Sequence, residues 1–272
     1  MYDVCGSIVV FKNDKDVLRK AITSFLNTEL NVHLYVIDNS PTDELKNVCA
    51  GENTEYIFAN NNLGFATAHN IAIREMVGKT KYSLILNPDV YFNEGTLDKL
   101  YDFMESNPDI GLVMPKILYP DGSIQYLCKL LPAPMDLIRR RFLPASKYLD
   151  KRNSLYELIF TGYDKIMDVP YLSGCFMFIR TEALSRVGLF DERFFMYLED
   201  VDISRRIHKC CRTVYYPEVS VFHQHEKGSY KNTTLLKYHV QSAIRYFNKW
   251  GYFFDKDRRE INKMVVEKLN TL

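Results

Sequence analysis

The sequence predicts an α/β fold in which a mostly parallel central sheet is flanked by helices. Short apolar runs, typical of strands buried on both faces, alternate with helical segments between residues 4 and 114. Polar clusters directly follow three of these runs, as expected at the carboxyl ends of parallel strands, where such folds bind ligands. The 272 residues are 47% hydrophobic and 25% charged, which is ordinary for a globular protein and excludes fibres and disordered chains.

The apolar periodicity of the first half defines its elements. The predicted strands span residues 4–11, 32–37, 56–59, 82–86 and 110–114. The predicted helices run from an N-cap at Asp16 to residue 26, and over residues 42–50, 65–76 and 96–106. Strands and helices that alternate at this spacing predict a doubly wound parallel sheet.

The second half is less regular. A hairpin is predicted over residues 117–126 around Pro-Asp-Gly, and an irregular segment follows from 127 to 166. Further strands are predicted over 171–179, 213–216 and 220–222, and helices over 181–187, 199–209, 235–250 and 257–269. Gly188 is the expected C-cap of the first of these helices. Because no repeat or linker interrupts the chain, we expect a single domain, residues 1–272, with functional halves at 1–116 and 117–272.

Charge, cysteine content and motif absences exclude several function classes. The formal net charge of +1 gives no general attraction to nucleic acid, so no nucleic-acid partner is expected. The six cysteines form no Cys-x-x-Cys pair, which argues against a structural zinc site. No signal peptide or membrane-spanning apolar run is visible, so a reducing cytoplasm is the expected compartment. No Gly-x-Gly-x-x-Gly follows the first strand, which argues against a dinucleotide-dependent dehydrogenase.

Three polar clusters end predicted strands and therefore belong on one rim of the sheet. They contain Asp38, Asn60–Gly64 and Asn87–Asp89. A carboxylate at a strand end, such as Asp89, can hold a divalent cation whose coordination shell is completed by phosphate oxygens. The alternative is a turn at the entry to a helix, because Asn, Pro and Asp are common turn residues.

Two further clusters carry groups suited to chemistry. Glu199, Asp200 and Asp202 stand at the predicted start of a helix, where a carboxylate either acts as a general base or caps the helix. His223 and His225 follow a predicted strand, where a histidine is either a ligand or an ordinary hydrogen-bonded residue.

Six blocks of the sequence, in this order, resemble family 2 inverting glycosyltransferases of the GT-A fold, a Rossmann-like nucleotide-diphospho-sugar transferase fold. The blocks are Ser7–Val10, Val36–Ser40, Asn62–Asn70, Leu86–Asp89, Ser173–Arg180 and Val187–Asp202. Their order and spacing cover residues 4–225. The Asn-Pro-Asp and Glu-Asp-Val-Asp forms, with the tail from 239 to 257, resemble bacterial rhamnosyltransferases in particular.

The resemblance implies a donor site at the rim. Asp38 would read a uracil or thymine base, with an Asx turn at residues 38–41 as the alternative. Gly64 would let the backbone approach the nucleotide closely, and Asn62 and Asn70 would either bind the donor or only pin the turn and helix. The other donor contacts that the resemblance implies are Val10, Phe11, Asn87 and Asp89.

The resemblance also implies a cation and a general base. Asp89 matches the metal-binding end of the family's Asp-x-Asp motif, in which Asn87 replaces the first acid. His223 would complete the metal or diphosphate site, with His225 as the competing choice, and the expected cofactor is Mg²⁺ or Mn²⁺. Asp200 resembles the catalytic base, with Glu199 and Asp202 in support.

The reaction implied by the resemblance is sugar transfer from a nucleotide-diphosphate sugar, with dTDP-rhamnose favoured, to a hydroxyl of a cell-surface polysaccharide or lipid-linked oligosaccharide precursor. Asp200 would accept the proton of the acceptor hydroxyl, which attacks in line and inverts the anomeric carbon. A retaining glycosidase would instead use a closely spaced pair of carboxylates. The alternative function is a catalytically inactive sugar-nucleotide-binding or partner-binding module of the same fold.

Two segments combine basic and apolar residues in a way that suits lipid headgroups. One spans residues 135–143 and contains Arg139, Arg140 and Arg141; the other spans 246–254 and places Lys249 among aromatic residues. They predict peripheral contact with the inner face of the cytoplasmic membrane. The alternatives are packing inside the acceptor half or a dimer contact.

Overall fold

The computed structural model describes residues 1–142, 147–224 and 233–271. Within these residues, nine strands form the main sheet and two strands form a smaller one. The main-sheet strands are β1 (Tyr2–Val10), β2 (Val32–Asp38), β3 (Thr54–Phe58), β4 (Thr80–Leu86), β5 (Val90–Phe92), β6 (Ile110–Leu118), β8 (Met167–Asp168), β10 (Phe176–Arg180) and β11 (Arg212–His223). The smaller sheet consists of β7 (Cys128–Lys129) and β9 (Tyr171–Leu172).

Helices occupy most of the intervening segments. They are α1 (Lys15–Leu26), α2 (Lys46–Cys49), α3 (Gly64–Met76), α4 (Thr96–Glu105), α5 (Pro134–Phe142), α6 (Lys147–Tyr156), α7 (Thr181–Val187), α8 (Glu199–His208), α9 (Thr233–Trp250) and α10 (Lys256–Leu269). A short 3-10 turn at Ile159–Thr161 follows α6. As predicted, Gly188 ends α7, with a left-handed φ of 81° that favours glycine.

The strand order in the main sheet is β3-β2-β1-β4-β10-β6-β11-β5, and β8 pairs with β11. The long strands run parallel in the pairs β1–β2, β1–β4, β2–β3 and β6–β11. The prediction of a mostly parallel sheet flanked by helices is therefore confirmed. The sheet also has an antiparallel strand at its centre, because β10 pairs antiparallel with both β4 and β6.

Several element boundaries differ from the prediction. The helix expected over residues 42–50 shortens to α2, because that segment buries only Leu45 and Cys49. The strand expected over 171–179 is two strands, since the chain leaves β9 and turns before it enters β10. The two strands expected at 213–216 and 220–222 are one strand, β11, whose register shifts between Tyr216 and Ser220.

Local hydrogen bonds explain two further differences. Asp14, not Asp16, caps α1, because its Oδ1 accepts hydrogen bonds from the backbone N–H groups of Asp16 and Val17 at 2.9 and 3.0 Å. The turn predicted around Pro-Asp-Gly is present, since the Tyr119 N–H donates to the Ser123 carbonyl at 2.8 Å. The residues before it belong to β6, however, and only a single bridge pairs Leu118 with Ile124.

The core has two parts, of which the larger packs helices against the main sheet. The smaller part joins α8 to α9 and consists of Leu131, Phe194, Leu198, Val201, Tyr246 and Phe247. It packs the start of α8 against α9. No helix among the described residues combines the length and apolarity needed to cross a bilayer.

Candidate active site

A cleft of about 1160 Å³ opens at the carboxyl ends of β1, β4 and β11 and reaches the start of α8. Nine of the twelve site residues predicted from the sequence line it. They are Val10, Phe11, Asn62, Gly64, Asn87, Asp89, Glu199, Asp200 and His223. The other three, Asp38, Asn70 and Asp202, lie outside its lining, and His225 lies outside the described residues.

Hydrogen bonds between neighbouring loops shape the rim at β1 and β2. The Asn39 side-chain amide donates to the Gly64 carbonyl across 3.2 Å, and Asn39 itself lines the cleft. Asn62 Oδ1 accepts a hydrogen bond from the Gly64 N–H at 3.1 Å. Asn62 therefore pins the turn before α3, which is the structural alternative that the sequence left open.

Gly64 makes a close backbone approach to another part of the chain, and its predicted approach to a nucleotide stays a prediction. Its φ is 78°, and a Cβ at this position would lie 2.3 Å from the Phe195 carbonyl oxygen. The Phe65 N–H donates to that same oxygen at 2.8 Å. The start of α3 is thereby joined to the loop that precedes Glu199 and Asp200, so this glycine connects the rim of the sheet to the catalytic candidates.

Asp38 is fully buried, and both of its carboxylate oxygens accept hydrogen bonds. The Ser40 N–H donates to Oδ1 at 2.8 Å, and the Tyr56 hydroxyl donates to Oδ2 at 2.7 Å. The Asx turn considered as the alternative for Asp38 is thus present. Each oxygen of a carboxylate can accept more than one hydrogen bond, so these contacts do not preclude one from a base, and the predicted role of Asp38 stays a prediction.

Asn70 holds two distant segments together. Its amide nitrogen donates to the Phe190 carbonyl at 2.9 Å and to Glu192 Oε1 at 3.0 Å, and its oxygen accepts from the Phe190 N–H at 3.0 Å. The side chain is buried and does not reach the cleft. Asn70 therefore fixes the segment after α7 to α3, and its predicted part in donor binding stays a prediction.

Asp89 and His223 meet where β11 ends. Asp89 Oδ1 lies 3.5 Å from His223 Nε2, and the Gln224 N–H donates to the Asp89 carbonyl at 3.0 Å. Gln125, which the sequence did not single out, orients the ring, because its Oε1 lies 3.0 Å from His223 Nδ1 and its amide nitrogen donates to the His223 carbonyl. Burial works against the charged ring, but Cys175 and Asp89 outweigh it and raise the pKa of His223 to about 10.

The donor set at Asp89 fits a cation that arrives with a diphosphate. Among the described residues, no group of three or more His, Cys, Asp or Glu side chains is arranged to hold a metal ion. Asp89 and His223 would supply two protein ligands, His223 after its Nε2 releases a proton, and Asn87 lines the cleft beside them. Mg²⁺ is commonly bound by one or two protein carboxylates together with substrate phosphates, so two protein ligands suffice when phosphate oxygens complete the shell.

Asp200 stands at the first turn of α8 with its carboxylate held from three sides. The Gly174 N–H and the Tyr171 hydroxyl donate to Oδ2 at 3.0 and 3.2 Å, and the Val201 N–H donates to Oδ1 at 2.8 Å. Burial raises the pKa of Asp200, and these bonds, with the charge of Lys129, oppose that rise because they favour the ionised form. The carboxylate is partly exposed to the cleft, as a general base must be.

The backbone that delivers Asp200 is strained. Tyr197 and Leu198 both have left-handed φ angles, 71° and 67°, immediately before α8. Such conformations in non-glycine residues cost about 1–3 kcal/mol each and concentrate at functional sites. The smaller core cluster buries Leu198 and so holds this turn in place.

Asp202 is a structural residue rather than part of the cleft. It is fully buried, and its carboxylate accepts hydrogen bonds from Arg206 Nε at 2.9 Å, Trp250 Nε1 at 2.8 Å and Lys249 Nζ at 2.7 Å. These bonds tie α8 to the end of α9. Asp202 therefore supports Asp200 through the position of the helix.

A second buried ion pair strengthens the same junction. Arg205 donates two hydrogen bonds of 2.6 Å to Asp255, the N-cap of α10, and its guanidinium lies 4.1 Å from the ring centre of Trp250. Both charged side chains are almost completely buried. The two C-terminal helices, α9 and α10, thus hold α8 in position.

Tyr171, Lys129 and Gln125 are among the cleft residues that sequence reasoning did not single out. Tyr171 and Lys129 lie on the smaller sheet, where β9 pairs antiparallel with β7. The sequence predicted a strand from residue 171, but strands of two residues carry no periodicity that would show which side chains face the cleft. Gly174 belongs to a block that carried the family resemblance, and its role in binding Asp200 emerged only from the structure.

Comparison with known proteins gives matches over most of the chain. Residues 7–188 match the family model described as Glycosyl transferase family 2. An N-acetylglucosaminyl-diphospho-decaprenol L-rhamnosyltransferase of Mycobacterium tuberculosis (strain CDC 1551 / Oshkosh) is 30% identical over 267 residues, which cover 90% of this chain and 84% of the relative. Rhamnosyltransferase WbbL of Escherichia coli (strain K12) is 26% identical over 251 residues, which cover 88% of this chain and 90% of that protein.

The fold also matches a solved structure. The crystal structure of GalNAc-T7 with UDP, GalNAc and Mn²⁺ aligns with 99% of this chain at a TM-score of 0.62 and 15% identity. The chain spans 55% of the length of that protein. At this level of identity the match concerns the fold alone, and it confirms the GT-A architecture expected from the sequence.

Proposed function

The chain belongs to glycosyl transferase family 2, and on this premise we propose that it transfers rhamnose from dTDP-rhamnose to a hydroxyl of a lipid-linked oligosaccharide or cell-surface polysaccharide precursor, with inversion at the anomeric carbon. The observation that carries the proposal is the Asp200 carboxylate. It faces the cleft while Gly174, Tyr171 and Val201 stabilise its charged form. An ionised, positioned carboxylate is what an inverting displacement requires as its base.

The chemistry assigned to the chain follows from these contacts. The oxygen of the acceptor hydroxyl attacks the anomeric carbon while Asp200 accepts the hydroxyl proton. The bond between the anomeric carbon and the donor diphosphate breaks on the opposite face of the sugar. Asp89 and His223 are the residues that would hold a divalent cation, which when bound stabilises the negative charge on the leaving diphosphate. In this proposal Glu199 and Asp202 assist, Asp202 by holding α8 in place.

The donor and acceptor assignments rest on the relatives. Two similar proteins, from two organisms, are named rhamnosyltransferases, and one of those names specifies a diphospho-decaprenol acceptor. We assign donor binding to residues 1–116, with Val10, Phe11, Asn62 and Gly64 at the rim. We assign acceptor binding to residues 117–272, which contribute Tyr171, Lys129 and Asp200 to the cleft.

A donor screen tests the proposal. The purified protein is heated with dTDP-rhamnose, UDP-glucose or UDP-galactose, each with and without Mg²⁺ or Mn²⁺. A donor at 100 times its dissociation constant should stabilise the fold by about 2.7 kcal/mol. Transfer to N-acetylglucosaminyl-diphospho-polyprenol is then followed with the donor that binds best.

The outcomes separate the candidate functions. Preference for dTDP-rhamnose together with transfer supports the proposal. Preference for a UDP-sugar overturns the donor assignment and leaves the enzyme class standing. Tight donor binding with neither transfer nor hydrolysis, over a panel of lipid-linked acceptors, favours the inactive sugar-nucleotide-binding module.

We also propose that the protein acts in the cytoplasm and touches the membrane through one apolar surface. Phe253 and Phe254 are 62% and 92% exposed, and Met135 and Ile138 on α5 are also exposed. Arg258 donates hydrogen bonds to the carbonyls of Pro132 and Tyr252, so the start of α5 and the loop with the two phenylalanines lie at the same end of the molecule.

In the structure, only part of the predicted interfacial segments is exposed. Tyr246 and Phe247 are buried in the smaller core cluster, so the first part of segment 246–254 packs inside the protein, as one alternative held. For Arg140 and Arg141 the structure describes the helical backbone and not the side chains. The exposed phenylalanines favour a bilayer over a dimer contact.

Vesicle flotation tests the membrane contact. The full chain should float with anionic vesicles at low salt, and a Phe253→Ser/Phe254→Ser double variant should remain in the soluble fraction. Val77→Ser, which alters an exposed residue at the end of α3, is the matched control and should float normally. Failure of the wild-type protein to float, with dimers detected by light scattering, would replace the membrane by the dimer contact.

A further inference from the structure

Glu199 lines the cleft next to Asp200, yet its surroundings differ from those of its neighbour. Its side chain is 5% exposed, and none of the described residues hydrogen-bonds its Oε2. A buried carboxyl oxygen without a partner is costly unless a ligand satisfies it. Oε2 itself has almost no accessible surface, but the residue lines the cleft, so a molecule bound there would lie beside Glu199.

The two neighbouring carboxyl groups have different hydrogen-bond environments. Asp200 accepts three hydrogen bonds that favour its charged form, whereas Glu199 gains only a contact with its own backbone N–H. Burial raises the pKa of Glu199 well above its ordinary value, and the negative charge of Asp200 raises it further. Two adjacent buried carboxyl groups do not both ionise readily, and here the hydrogen bonds favour the charge on Asp200.

Among the described residues, no positive charge lowers the pKa of Glu199. The charged or titratable side chains that line the cleft with it include Asp200, Lys129, Glu157, Tyr171, Asp89 and His223. Of these, Asp200 acts on Glu199 directly, and the charge of Lys129 acts on Asp200. In this cleft, Asp200 is therefore the carboxyl group suited to accept a proton, and Glu199 is the one that stays protonated.

We propose that Glu199 is a protonated carboxylic acid that donates a hydrogen bond from Oε2 to an oxygen of the sugar bound beside Asp200. The proton stays on Glu199 throughout, so this group binds and orients the sugar while Asp200 acts as the base. The inference rests on the proposed sugar-transfer function of this cleft and specifies a further residue that recognises the sugar.

Infrared spectroscopy of the ligand-free protein tests the protonation without any substrate. At neutral pH, the C=O stretching band of a buried protonated carboxyl group should be present in the wild-type spectrum. It should be absent in Glu199→Gln and still present in Asp200→Asn. A wild-type spectrum in which Glu199→Gln removes no such band would overturn the inference, whatever the enzyme does.

Steady-state kinetics tests the hydrogen bond. Glu199→Gln keeps an uncharged donor of the same shape and should retain kcat/KM within about fivefold, whereas Glu199→Ala should lose about tenfold or more, as expected for a lost buried hydrogen bond. Thermal unfolding of both variants verifies that they fold. A glutamine variant as impaired as the alanine variant would show that the charge of Glu199 is needed, contrary to the inference.

The two kinds of failure are distinguishable. If the wild-type protein transfers no sugar from any donor, the proposed function fails, while the infrared result still reports on Glu199. If transfer proceeds but Glu199→Gln shows no spectroscopic change, only the inference about Glu199 fails.

Discussion

The Tyr171 hydroxyl donates a hydrogen bond to Asp200 Oδ2 across 3.2 Å, and this bond links the smaller sheet to the first turn of α8. The Gly174 N–H donates to the same oxygen from the segment between β9 and β10. The ionisation of the candidate base therefore depends on Tyr171 and Gly174, which lie outside the main sheet. Tyr171 is a positioning residue for Asp200.

Tyr171→Phe should move the acidic limb of the kcat/KM profile to higher pH by about half a unit to one unit, since one hydrogen bond is worth about 1 kcal/mol. The base must be ionised, so activity falls as the pH drops through the pKa of Asp200. Losing a bond that favours the ionised form raises that pKa. Tyr126→Phe, which alters another tyrosine of the cleft, is the control. An unchanged acidic limb in Tyr171→Phe would remove Tyr171 from this role.

Asp200→Asn should lower turnover about 10²–10⁴-fold while donor binding persists, because the proton acceptor is lost and the shape is kept. Turnover and the thermal shift with donor are measured side by side. Burial raises the pKa of Asp200 in the folded state, so the ionised carboxylate destabilises the fold at neutral pH. The variant should therefore unfold at no lower temperature than the wild type. Turnover near the wild-type rate would identify Asp200 as only a helix cap.

Removal of divalent cations with excess chelator should abolish transfer, and added Mg²⁺ or Mn²⁺ should restore it. Asp89→Ala should weaken the binding of both the cation and the donor, because His223 would be the one protein ligand left of the two. Isothermal titration of the donor with and without cation measures both effects. Full activity in excess chelator would show that the protein works without a metal.

Gly64→Ala should reduce both stability and transfer more than Gly78→Ala does. The two glycines have nearly equal φ angles, 78° and 79°, so the backbone penalty of about 1–2 kcal/mol is shared. A Cβ at residue 64 would also lie 2.3 Å from the Phe195 carbonyl oxygen, whereas nothing lies within 4 Å of one at residue 78. Unfolding midpoints and turnover are compared; equal effects would mean that the junction with the Phe195 loop is unimportant.

Asp202→Ala should destabilise the fold by about 3–5 kcal/mol, because Arg206 and Lys249 would lose a fully buried partner. Chemical denaturation measures the loss. Asp257→Ala breaks an exposed pair with Lys209 and should leave the midpoint nearly unchanged. If the Asp202 variant is as stable as the control but inactive, Asp202 has a direct catalytic role after all.

The rim of the cleft was predictable because carboxyl ends of parallel strands share one edge. Knowing only that β1, β2 and β4 are strands places Val10, Asn39 and Asn87 together. The roles within a cluster are harder to assign from sequence. Asp200 and Asp202 are two positions apart on a helix and therefore face different sides, so one reaches the cleft and the other reaches Trp250.

Contacts between distant segments account for what sequence reasoning missed. Gly64 indicated a close backbone approach, and the structure shows one with Phe195, more than a hundred residues away. Asn70 binds the backbone of Phe190 over a similar separation. Local patterns identify residues with unusual conformational or hydrogen-bonding properties; they do not identify the partner when that partner arrives through tertiary packing.

The central antiparallel strand has a consequence for biosynthesis. β4 ends at Leu86 and β6 ends at Leu118, but β10, which pairs with both, begins only at Phe176. A nascent chain that has emerged as far as residue 118 exposes one open edge of β4 and leaves β6 without either neighbour, because β11 is synthesised later still. Open edges invite pairing with other chains. Messages truncated before β11 should therefore yield aggregating fragments rather than an autonomous nucleotide-binding unit, and the ribosome must carry the chain past residue 223 before the sheet can close.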